Sequence, residues 1–165
     1  MTRAHLLPLV FSAALAVCVV PGCSKAPELP ADAGGPRIHH HHPPHGGTVV
    51  VLGEEEFHVE LLVDETGTKL QAFILDSELE NFVRSSSASI AIAATAAGKT
   101  RDLALAAVSN SETGETVGDT SQFEADADWL KATPRFDGVL RSITVRGTTY
   151  SDVKFNFPKG NETER

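Results

Sequence analysis

The feature that most constrains the fold is residues 57–64, where apolar and other positions alternate. The odd-numbered residues 57–63 are all apolar, whereas His58 and Glu60 lie on the opposite side. A period of two is typical of a β-strand that buries one face. The pattern therefore predicts a strand here, with His58 half-exposed on the face away from the core.

Short strand-like segments separated by turn residues continue along the chain. Residues 48–52 and 69–76 flank the first strand across Gly53 and Gly67, which predicts two consecutive hairpins. Further segments of similar length follow: 89–95, 100–108, 123–129, 139–146 and 148–157. The alanine content of the first two also permits helix, but the glycine between them favours a hairpin. Polar loops are expected between these strands, including one with a helical turn near residues 78–81.

This pattern predicts an all-β fold: an antiparallel, immunoglobulin-like β-sandwich of seven to eight short strands over residues 45–158. A closed barrel is the alternative. Residues 159–165 form a polar tail that we expect to fray.

The N-terminus is typical of a bacterial lipoprotein signal peptide. An apolar run of 15 residues, 6–20, follows Arg3 and is too short for a spanning helix. It leads into Val-Pro-Gly-Cys, which resembles the site cut by lipoprotein signal peptidase. We therefore predict a signal peptide over residues 1–22 and lipidation at Cys23; an ordinary secretory signal is the alternative. The expected location is the cell membrane or outer membrane, with the domain facing the periplasm or the cell exterior.

Residues 23–44 are rich in proline, alanine and histidine, which predicts an extended linker after the lipidated cysteine. The remaining cysteine, Cys18, lies within the signal, so no disulfide is expected in the mature domain. The formal net charge of the full chain is −8. Such a balance argues against a nucleic-acid partner and is compatible with attracting cations.

The histidines are concentrated around the end of the linker, and they predict weak, exchangeable binding of Zn²⁺, Cu²⁺ or Ni²⁺. Imidazole is largely neutral at pH 7, so its nitrogens are available to these ions. In a polyproline-type conformation, residues three apart share a face. The candidate ligands are His39, His40, His41, His42, His45 and His58. The alternative is that the tract has no metal role.

No catalytic motif is present, and we predict no catalytic residue and no required cofactor. The leading hypothesis is a membrane-anchored, non-enzymatic lipoprotein that binds or buffers transition metal in the cell envelope. The competing hypothesis is a structural or protein-interaction module that contacts an envelope protein, with no role for the histidines.

Four short stretches carry a resemblance to known proteins. They are His45-Gly46-Gly47, Val49-Val50-Val51-Leu52-Gly53, Phe57-His58-Val59-Glu60-Leu61 and Phe73-Ile74-Leu75-Asp76. They resemble small planctomycete-type lipoproteins and are similar to the N-terminal domain of some periplasmic adaptor subunits of RND heavy-metal efflux pumps. The resemblance implies metal handling outside the cytoplasm, with His45 and His58 as the matching histidines and a metal-efflux complex as a further candidate partner.

Overall fold

The computed structural model describes residues 42–162, and these form eight antiparallel strands with almost no helix. The strands are β1 (Thr48–Leu52), β2 (Phe57–Val63), β3 (Lys69–Asp76), β4 (Ser89–Ala96), β5 (Lys99–Ala107), β6 (Gln122–Asp126), β7 (Phe136–Val145) and β8 (Thr148–Phe157). A short 3₁₀ helix, Asp128–Lys131, follows β6. The predicted all-β antiparallel fold is confirmed, whereas the signal peptide, Cys23 and His39–His41 lie outside the described residues.

All eight strands belong to one sheet, in the order β1-β2-β3-β6-β5-β4-β7-β8. The sheet curves into a nearly closed, barrel-like sandwich. Its two ends are consecutive hairpins, because Gly53 and Gly147 adopt the positive φ angles that tight turns require. The middle of the sheet pairs strands that are not consecutive in the sequence. After β3 the chain forms β4 and β5, and β6 then inserts between β3 and β5.

The core follows from the alternation within each strand. Val59 and Leu61 of β2 are fully buried and pair with Ile74 and Ala72 of β3. In the same core, the ring of Phe136 stacks on Phe157 with centroids 5.1 Å apart. Burying a side chain of this size contributes about 1.5–3 kcal/mol, so apolar burial stabilises this domain without a disulfide.

The two edge strands are joined by the segment after β8. The side-chain amide of Asn161 accepts a hydrogen bond from Val51 N at 2.7 Å and donates one to Val51 O at 3.2 Å. Gly160 lies against Val49 O, where a Cβ atom would approach to 2.2 Å. The prediction that the tail frays is therefore wrong for Gly160 and Asn161, because both pack on β1.

The outer face of β2 is covered as well as its inner face. His58 and Glu60 are both fully buried, so the prediction that His58 is half-exposed is wrong. The physical reason is tertiary: the backbone N–H groups of residues 45 and 47 bond to Glu60, and Nδ1 of His58 lies 2.9 Å from Asp76 O. In the loop after β3, Leu79 is 3% exposed and lies in a turn where the sequence suggested a helical turn. We call residues 42–47, which precede β1, the lead-in segment.

Candidate functional site

Glu60 is a fully buried carboxylate that holds the lead-in segment onto β2. Its Oε1 atom accepts hydrogen bonds from the backbone N–H groups of His45, at 2.9 Å, and Gly47, at 2.8 Å. Its Oε2 atom lies 2.8 Å from Nδ1 of His45. A buried charge is costly unless it is paired and hydrogen-bonded, and here the lead-in segment supplies all three of these contacts.

The local sequence explains why the lead-in segment can reach this carboxylate. Gly46 N donates to Pro43 O at 3.0 Å, which closes a tight turn. Pro44 takes the second position of that turn, where its fixed φ angle is favourable. Gly47 then passes so close to β2 that a Cβ atom would lie 2.7 Å from Leu61 O. Only glycine permits this approach.

The His45 ring is held on a second side by aromatic contacts. It stacks on Phe73 with ring centroids 4.3 Å apart and lies 5.7 Å from Phe82. Phe73 is the cross-strand neighbour of Glu60, so the pairing of β2 with β3 places both residues that hold the His45 ring. His45 is 36% exposed and Phe82 is 48% exposed. The ring is therefore fixed in orientation while one of its edges faces solvent.

The predicted metal ligands occupy different environments. His42 is exposed at the start of the described chain. His58 is buried, and its Nδ1 lies 2.9 Å from Asp76 O. Within residues 42–162, no three His, Cys, Asp or Glu side chains are grouped so that they could hold a metal ion. The structure thus joins His45 to Glu60 and places His58 in the interior beside Leu75.

Sequence reasoning missed Glu60, Phe73 and Phe82 as parts of this site. Alternation assigned Glu60 to the same outer face as His58, which the pattern alone predicts to be open to solvent. The available signal was a glutamate in a strand of strongly apolar neighbours, preceded by the pair Gly46 and Gly47.

A second buried carboxylate, Glu115, anchors the long loop before β6. Burial acts to raise the pKa of Glu115, but hydrogen bonds from Ser121 and Thr113 and the nearby Arg84 outweigh it and hold that pKa below its ordinary value. Ser121 donates from both its N–H, at 2.8 Å, and its hydroxyl, at 2.7 Å. All of these contacts are internal to the domain, so we assign them to loop structure.

Comparisons of the chain with protein-family models, curated proteins and solved structures yield no match. The resemblance to lipoproteins and to RND adaptor domains therefore stays a prediction. Across residues 42–162, no helix has the length and apolar character that a bilayer span requires.

Proposed function

We propose that this protein is a membrane-anchored, non-enzymatic lipoprotein that binds transition-metal ions at the cell envelope through its histidine-rich segment. The observation that carries the proposal is the state of His45. Its Nδ1 is engaged by the buried carboxylate of Glu60, while the ring itself is 36% exposed. A histidine whose second nitrogen is held by a carboxylate is the usual form of a metal-ligating histidine.

Further ligands come from the neighbouring histidines. His42 is exposed and lies three residues before His45, and His39–His41 precede it in the sequence. Several imidazoles close together favour Zn²⁺, Cu²⁺ and Ni²⁺. Structural zinc sites in contrast use four ligands at fixed spacing, so we expect an open site that exchanges its ion.

The anchoring part of the proposal rests on the sequence before the described residues. The lipobox-like motif that ends in Cys23, followed by a proline-rich linker, supports attachment to the cell membrane or outer membrane. Several acyl chains give stable anchoring, whereas one gives marginal binding. The linker would hold the domain away from the lipid.

The test is calorimetric titration of residues 24–165 with Zn²⁺, Cu²⁺ and Ni²⁺. A variant with alanine at His39–His42 and His45 should lose binding that is micromolar or tighter in the parent fragment. Glu112→Ala, in an exposed loop, is the matched control and should bind as the parent does. Absent binding, or binding that survives loss of the five histidines, contradicts the proposal.

A second candidate function, protein interaction, is favoured by an open groove between β5 and β6. The two strands pair only through Ala106 and Ala107 within the described chain. Beyond that point they border a groove of about 600 Å³ whose walls include Asp102, Glu124 and Asp126. Open strand edges can pair with an extended partner segment. A photo-crosslinker at Ala104 in intact cells should capture one envelope protein, and lysine substitutions at both aspartates should abolish the adduct.

A further inference from the structure

The hydrogen bonds to Glu60 fix which nitrogen of His45 carries a proton. Oε1 is occupied by two backbone N–H groups, which can only donate. Oε2, the other oxygen of the same carboxylate, is likewise an acceptor. Nδ1 of His45, 2.8 Å away, must then carry the ring proton and donate a hydrogen bond to Oε2. In the neutral ring this leaves the lone pair on Nε2.

The same contacts determine where that lone pair points. Nδ1 and Nε2 point in nearly opposite directions from the imidazole ring, so a ring whose Nδ1 faces Glu60 directs Nε2 away from that carboxylate, on a side chain that is 36% exposed. Stacking on Phe73, at 4.3 Å between centroids, opposes rotation of the ring. His45 is consequently a ligand of fixed direction.

Glu60 contributes to ion selection because it is fully buried and both of its oxygens already accept hydrogen bonds. Mg²⁺ and Ca²⁺ prefer carboxylate, carbonyl and water oxygens, whereas imidazole suits Zn²⁺, Cu²⁺ and Ni²⁺. Both Glu60 oxygens are occupied by hydrogen bonds from the lead-in segment. The donor that remains is a nitrogen, which disfavours the hard cations.

We infer that Glu60 is the positioning residue of the proposed metal site. It holds His45 in the Nδ1–H tautomer, so that Nε2 is the anchoring ligand for a borderline divalent ion such as Zn²⁺. His42, which is exposed and lies three residues before His45, supplies an additional ligand. This inference rests on the proposed function and adds the ligating atom, the residue that orients it and the class of ion.

Nitrogen-15 NMR of the histidine rings in the mature lipidated protein, in detergent micelles, tests the inference directly. Without metal, the spectrum should show the Nδ1–H tautomer for His45, and added Zn²⁺ should shift Nε2. A tenfold excess of Mg²⁺ should leave the zinc affinity unchanged. A resting Nε2–H tautomer, zinc coordination through Nδ1, or competition by Mg²⁺ at this excess overturns the inference.

Glu60→Gln provides the decisive variant. The glutamine oxygen can still accept from both backbone N–H groups, but its NH₂ group would donate to Nδ1 of His45 and move the ring proton to Nε2. We expect zinc affinity to fall by about 10- to 100-fold, the usual effect of losing such a partner. Glu54→Gln, an exposed residue in the β1–β2 turn, is the control and should bind as the parent does.

The outcomes separate this inference from the proposed function. Parent protein that fails to bind Zn²⁺ refutes the proposed function itself. Parent protein that binds, together with a Glu60→Gln variant of inverted tautomer and unchanged affinity, refutes the inference alone. If the variant does not fold, the tautomer, the zinc-coordinating nitrogen and the Mg²⁺ competition in the parent protein decide the matter.

Discussion

Gly47→Ala should loosen the lead-in segment without placing any residue in a forbidden backbone conformation. Gly47 does not have a positive φ angle, so the effect of an added Cβ atom is steric. That atom would lie 2.7 Å from Leu61 O and 2.8 Å from Glu60 Cγ. Leu61 belongs to β2 and pairs with Thr48, so its carbonyl cannot retreat without disturbing the sheet. The lead-in segment must move instead.

The expected cost follows from two contributions. Overpacking a close contact costs about 1–3 kcal/mol. A hydrogen bond to a charged group contributes about 1.5–3 kcal/mol, and the Gly47 N–H bond to Glu60 is the first to be lost. Because part of the clash is relieved by breaking this bond, the two terms overlap. We expect the free energy of unfolding to fall by about 2–4 kcal/mol.

Urea denaturation of the parent and Gly47→Ala proteins measures this loss. With a slope of about 1–3 kcal/mol per molar urea, the midpoint should fall by about 0.7–4 M. Zinc affinity should fall with it, because His45 loses its fixed position. The control is Gly46→Asn: Gly46 has a φ of +69° with no atom within 4 Å of its Cβ position, and asparagine tolerates that conformation. A Gly47→Ala midpoint equal to that of the parent would refute the close-packing argument.

Two further changes test closure of the sheet. Asn161→Ala removes two neutral hydrogen bonds to Val51, so the free energy of unfolding should fall by about 2 kcal/mol in urea denaturation; an unchanged midpoint would show that the amide does not contribute to closure. Burial, aided by a 2.5 Å hydrogen bond to Glu56, raises the pKa of Tyr150 to about 12. The unfolded chain loses this proton near pH 10, so the stabilisation is present below about pH 10 and is lost between about pH 10 and 12. Tyr150→Phe should remove this step from the stability–pH curve, and a step of the same size in both proteins would contradict the assignment.

The strands were predictable because each carries its own period. Alternation at residues 57–64 and glycines at the turns are local signals, and β1 to β3 match the predicted segments closely. The order of strands is not local: the insertion of β6 between β3 and β5 depends on pairs distant in sequence, such as Ala72 with Phe123. The contact of Asn161 with the edge strand β1 was also not predictable, since an amide in a polar tail has no periodic sequence pattern.

The candidate site was half predictable. The histidines before the first strand are visible in the sequence, and the choice of His45 as a candidate ligand survives as a proposal. Alternation placed His58 and Glu60 together on the outer face of β2, which is correct, but it cannot show that the chain folds back over that face. Contact with the lead-in segment is a tertiary effect, so the strand pattern alone does not reveal that Glu60 is buried.

Comparing glutamate with glutamine at position 60 distinguishes a role in stability from a role in metal binding. A buried carboxylate is weak evidence for stability, since apolar replacements of buried ion pairs are often neutral or stabilising. Glutamine would keep the acceptor for both backbone N–H groups, so tethering of the lead-in segment does not require the negative charge. What glutamine cannot do is accept a hydrogen bond from Nδ1–H through its NH₂ group. The property specific to glutamate is therefore its effect on His45, and residues that break a local rule in this way are expected at functional sites.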